Sequence, residues 1–112
     1  MEEELLAEFG LTRNEVNVYL TLLKIGSALA GQITENTGIH RRNVYDALER
    51  LQEKGLVSFV IVNNKKLFSS ANPKRFIEII EENKHRLNLR KNAFEKVLPK
   101  LNKMVSLTKK HD

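Results

Sequence analysis

The chain has 112 residues, enough for one domain or for one domain and an arm, and too few for a typical barrel or doubly wound enzyme. Hydrophobic residues make up 41% and charged residues 29%, the net charge is +5, and the absence of cysteine excludes disulfides, thiolate metal sites and cysteine nucleophiles. No apolar run approaches a membrane span and the acidic start MEEELLAEFG is unlike a signal peptide, so a cytoplasmic protein is expected.

In chain order, residues 2–9 are predicted as a short helix ended by Gly10, with Leu5, Leu6 and Phe9 in need of burial. Residues 12–25 form a stronger helix. Thr12 and Glu15 make a T-x-x-E capping box, Leu11 is placed to staple onto Val16, and Val16, Tyr19, Leu20, Leu22 and Leu23 recur at helical spacing. Gly26 ends the run. Residues 28–36 read as a second short helix with Ser27 as its N-cap and Leu29 and Ile33 inward. Thr37-Gly38-Ile39 is a tight turn, since Gly38 suits a positive φ and Ile39 pins the turn to a core.

Residues 40–54 form a third helix with Val44, Ala47, Leu48 and Leu51 on one face. Arg42, Asp46, Glu49, Arg50 and Glu53 lie opposite, Asn43 and Tyr45 flank the face, and Gly55 stops the helix. The period then changes. Residues 56–70 are rich in Val, Ile and Phe, and Asn63-Asn64 between two such runs reads as the type I′-like turn of a hairpin. From residue 72 the chain returns to helix, with Asn72 as cap and Pro73 in the first helical position. A helix from Pro73 to Leu98 spans ~39 Å. Pro99 cannot donate to the carbonyl of Glu95, which predicts a kink or a fresh helix from Pro99 to about Thr108, followed by a frayed KKHD tail.

The charge is uneven along this order. Residues 1–36 carry two basic and six acidic side chains, residues 37–75 eight and three, and residues 76–112 nine and five. Helix, helix, tight turn, helix, hairpin is the order of a winged helix-turn-helix, in which the helix after the turn enters the major groove with its leading residues. The fold class expected is therefore mainly α with a small β-hairpin, a winged helix-turn-helix over residues 1–72 followed by a long C-terminal dimerisation arm over 73–112. Here the leading residues are His40, Arg41, Arg42 and Asn43. Arginine bonds guanine in bidentate fashion and asparagine does so with adenine. A helix N-terminus also offers free N–H groups to phosphate. Tyr45, Asp46 and Arg50 follow on the same helix, and Lys65 and Lys66 at the hairpin tip suit a neighbouring phosphate or the minor groove. The blander reading is a solvated face laced by ion pairs such as Arg42 with Asp46 and Asp46 with Arg50.

Three stretches carry a family resemblance: FGLTRNEVNVYLTLLKIG, ITENTGIHRRNVYDALERLQEKGLV, and the hairpin running into ANPKRF, with a family flavour also in LPKL at 98–101. They resemble the N-terminal region of the archaeal sugar-responsive TrmB-type transcriptional regulators. The resemblance implies a winged-helix DNA-binding domain in a dimeric regulator. It places His40 to Asn43, Tyr45 and Asp46 at the start of the recognition helix and Lys65-Lys66 in the wing. Full-length members carry a large C-terminal sugar-binding domain, so sugar sensing is not carried over to this chain, and no effector is readable.

On the arm, Ile77, Ile80, Leu87, Phe94, Leu98, Leu101 and Val105 fit an a/d heptad seam, with Lys84 and Lys91 as polar breaks. Packing two such helices gives a two-fold homodimer matched to a pseudo-palindromic duplex, with half-site centres about 34–36 Å apart as the simplest spacing. The seam alone does not give the helix orientation. No phosphate loop, nucleophile elbow or zinc motif is present, and Glu81, Glu82 and His85 read as an ion-pair surface, so neither catalysis nor a cofactor or metal is expected. Two other readings stay open: a winged helix that binds protein partners, and a ligand-responsive regulator with a pocket between head and arm.

Overall fold

The structure, a computed structural model, describes residues 1–109, and the fraying expected of the KKHD terminus falls, beyond Lys109, outside that range. Two compact units divide the chain, Met1–Arg75 and the remainder from Phe76. The first holds α1 (Glu2–Glu8), α2 (Arg13–Ile25), α3 (Ala30–Thr37), α4 (Arg41–Glu53), β1 (Val57–Val62) and β2 (Lys65–Ser70). The second is α5, which begins at Arg75 and runs to Lys109. Among the described residues, no helix is long and apolar enough to cross a membrane.

The Thr12 cap forms as its spacing requires. Thr12 is extended, its Oγ1 accepts from the Glu15 N–H at 3.2 Å, and it donates to Glu15 Oε2 at 2.8 Å. Behind the cap, α2 buries Val16, Val18, Tyr19 and Leu22. Leu23, expected inward, is 39% exposed, and Val18 holds the core position in its place. Leu5 on α1 is likewise exposed, while Leu6 and Phe9 are half-buried. Ile33, Val44, Leu48, Leu51, Leu56 and Phe68 complete the core, and each fully buried aliphatic side chain contributes about 1.5–3 kcal/mol against exposure. Leu29 is only half-buried. The Tyr19 hydroxyl donates to the carbonyl of Ala71 at 3.2 Å, and burial raises its pKa.

Ser27 is not the cap of α3. Ala28 exchanges both backbone hydrogen bonds with Phe68, at 2.9 and 2.8 Å, as an antiparallel bridge, and Ser27 Oγ meets Ser69 Oγ at 3.0 Å. An amide committed to a sheet edge cannot open a helix, so α3 starts two residues later than expected. There the Leu29 N–H donates to Gln32 Oε1 at 2.8 Å. Gly38 then takes the left-handed conformation, φ 73°, between α3 and α4.

The hairpin follows the sequence closely. β1 and β2 pair antiparallel from Val57 with Ser70 to Val62 with Lys65. The two intervening residues, Asn63 and Asn64, have φ of 50° and 64°, as a type I′ turn requires. Beyond it the Asn72 side chain accepts from the Lys74 N–H at 2.8 Å, and the Asn72 carbonyl accepts from the Arg75 N–H at 2.8 Å. This turn, with Pro73 inside it, delays α5 to Arg75. The helix then continues for 35 residues without a fresh start at Pro99. Losing one hydrogen bond from so long a ladder leaves the flanking turns intact.

Candidate nucleic-acid interface

The candidate interface is built on α4, whose buried stripe of Val44, Ala47, Leu48 and Leu51 fixes which residues face outward. His40 is its N-cap: Nδ1 accepts from the Arg42 N–H at 3.3 Å. Directly opposite the buried stripe, by the 3.6-residue period, stands Arg42. Arg41, Arg42 and Asn43 are all exposed, and Tyr45 is 45% exposed. The Arg41 guanidinium lies 5.9 Å from the centroid of the Tyr45 ring, one turn along, at a cation–π spacing.

The remaining residues separate into two groups. Arg41, Tyr45, Lys65 and Lys66 line one cleft of about 570 Å³, bounded on its far side by the start of α3 and at its tip by Asn64. Asn43, Asp46 and Arg50 line a smaller depression of about 290 Å³ on the other flank, against Thr12, Arg13 and Asn14 at the start of α2. Both lysines sit at the beginning of β2, opposite Val62 and Ile61, and Lys66 Nζ is 4.5 Å from the centroid of the Phe59 ring. Among the described residues, neither Arg42 with Asp46 nor Asp46 with Arg50 closes to ion-pair distance. The cations on this surface are thus free of the helical ion-pair lattice that the spacing allows.

Several lining residues were not expected from the sequence, three of them with long polar side chains. Gln32 and Glu35 of α3 enter the wing-side cleft, and Arg13 enters the other depression. The spacing within α3 places Gln32 and Glu35 on one face, but only the packing of α3 against α4 shows which face borders the wing. Helix α4 is also anchored at its far end. Its C-cap residue Lys54 bonds the carboxylate of Glu15, which is 1% exposed, and donates to the Gly10 carbonyl at 3.3 Å. Burial alone would raise the pKa of Glu15. Hydrogen bonds from Lys54 and Thr12, with the Lys54 charge, outweigh it and hold the carboxyl below its ordinary value. Among the described residues no group of three or more metal-ligating side chains gathers.

Three helices, a left-handed glycine before the exposed one, and a two-stranded wing beside its leading end define a winged helix-turn-helix domain. The family described as the sugar-specific transcriptional regulator TrmB matches residues 5–74, and the chain belongs to that family. The HTH-type sugar sensing transcriptional regulator TrmBL1 of Pyrococcus furiosus is 39% identical over 85 residues, covering 73% of this chain and 25% of that protein. The chain thus spans a quarter of the length of that regulator. Among solved structures, the archaeal chromatin protein TrmBL2 is similar with a TM-score of 0.82 and 22% identity, over 95% of this chain and 41% of the other. YusO of Bacillus subtilis is similar with a TM-score of 0.58 and 19% identity, over 95% of this chain and 80% of the other. At these identities the two structures bear on the fold alone.

Proposed function

We propose that the chain is a DNA-binding transcriptional regulator whose head, residues 1–72, reads duplex DNA and whose arm, residues 73–112, pairs it with a second copy. The recognition helix, about 40–54, enters a major groove with Arg42 leading, and the wing, about 56–70, follows the adjoining backbone. One observation carries this reading: Arg41, Tyr45, Lys65 and Lys66, from two elements far apart in sequence, line a single cleft beside the exposed leading turn of α4. Bonds to phosphate from such a cleft fix register, and the leading turn is left to meet base edges. TrmBL1 is a transcriptional regulator and TrmBL2 a chromatin protein that binds DNA, and a DNA partner for this chain is in keeping with both. The work is binding and not catalysis, in the cytoplasm, on a pseudo-palindromic site matched to a two-fold dimer.

The test is fluorescence anisotropy with random duplex DNA between 50 and 200 mM salt, concentrations over which a binder making several phosphate contacts loses about three orders of magnitude or more in affinity. A steep, linear fall of log affinity with log salt is expected. A flat response would assign the head to a protein partner, a reading favoured by the exposed apolar run Phe59, Val60, Ile61 and Val62 on β1.

A further inference from the structure

The seam of α5 lies open, with Ile77, Ile80, Leu87, Phe94, Leu98, Leu101 and Val105 each between 41% and 61% exposed. Its own a positions include Lys84 and Lys91. These two cations decide between the possible partners of the seam. In a parallel two-fold pair each a residue faces its own copy, so Lys84 meets the partner's Lys84 and Lys91 meets the partner's Lys91. Two like-charged contacts would then sit in the part of the seam that loses most water. The one compensation is Arg90 against the partner's Glu95 at the rim, where water screens it.

We infer that two copies of α5 pair antiparallel, mirrored about a point between Asn92 and Ala93. This rests on the homodimer reading and adds the orientation and the register. A two-fold contact is reciprocal, so each pair on the seam occurs twice. In this register Lys91 faces the partner's Phe94, whose ring offers a cation its face. Lys84 faces the partner's Leu101, so its stem covers apolar surface while its ammonium reaches the rim. Leu87 faces the partner's Leu98, and Ile80 the partner's Val105. At the rims, Glu81 lies beside the partner's Asn102 and Glu95 beside the partner's Asn88. Arg90 lies beside the partner's Val97, so no like charges face each other at the rims, and the two Lys91 flank the mirror point, offset from each other by ~4.5 Å along the axis. The mirror point is close to the middle of Arg75–Lys109, so nearly the whole helix is used. The two helix starts then lie ~50 Å apart at ~1.5 Å per residue.

The absence of cysteine makes this testable by introducing single thiols. Leu87→Cys and Leu98→Cys variants, co-expressed and mildly oxidised, are expected to form a disulfide-linked dimer containing one of each. Neither variant alone is expected to link, because each copy of the same residue lies ~16 Å from the other along the axis. Ile80→Cys with Val105→Cys repeats the test away from the centre. Each variant linking to itself would make the pair parallel and overturn the inference. A dimer by sedimentation that links in neither arrangement would overturn the register. A monomer throughout, for the unsubstituted chain as well, would remove the homodimer reading itself, a failure distinct from the other two.

Discussion

At the residue scale, Glu15 and Lys54 bear directly on stability, since a carboxylate that is 1% exposed depends on partners for its charge. Because the folded pKa lies below the ordinary value, the stabilisation is complete above the ordinary carboxylate range and is lost as pH falls through the depressed value. Melting temperature should therefore fall on acidification, and more steeply than in Glu15→Gln. Lys54→Met should cost about 2 kcal/mol, less than a fully buried pair because Lys54 is 33% exposed, and should flatten or reverse the pH trend, as a melting series from pH 3 to 7 would measure. At the proposed interface, Arg42→Ala should cost ~1–3 kcal/mol on a specific site and little on random duplex if its guanidinium reads a base. The Lys65→Ala, Lys66→Ala double variant should weaken all duplexes alike and reduce the salt slope by about two, measured by the same anisotropy titration. The charged leading turn was legible in HRRN because local spacing fixes it. The Glu15 partner was not: Thr12-x-x-Glu15 announces a cap, whereas Lys54 arrives from the far end of another helix.

Among the elements, local chemistry served best where it had no competitor. Asn63-Asn64 between apolar runs identified the turn, and both residues adopt the left-handed region. Glycine takes that region without strain and valine does not. Asn64→Gly should accordingly stabilise the head by roughly 0.5 kcal/mol and Asn64→Val should destabilise it by about 1 kcal/mol or more, read as shifts in a urea midpoint. Where an element had a tertiary alternative, the sequence misled. Ser27 is a good N-cap by type, but Ala28 is bonded to Phe68, an alliance that no window shorter than 40 residues contains. Likewise Pro99 is a helix breaker by type, yet α5 carries it in its interior.

For the molecule as a whole, the order of elements sufficed to give the winged helix-turn-helix, because few arrangements close three short helices and a hairpin over one core. The grouping of site residues into two flanks was hidden, since it depends on which neighbours α4 acquires. The a/d repeat was legible on α5, which carries its apolar residues exposed. If two copies pair through α5 as proposed, Leu87→Lys with Phe94→Lys should yield monomers by analytical ultracentrifugation, with the melting of the head unchanged. An unchanged sedimentation coefficient would remove the seam from the assembly.

The reciprocal bridge between Ala28 and Phe68 has its own mechanical consequence. It rivets the base of the wing to the strand-like segment leading into α3, while among the described residues the backbone of the wing's tip around Lys65 pairs with β1 alone. Amide deuterium uptake should therefore grade along β2, slowest at Phe68 and fastest near Lys65. If a duplex lies along the wing as proposed, it should slow the fast end and leave the slow end as it was, the hairpin then behaving as a cantilever that the duplex stills.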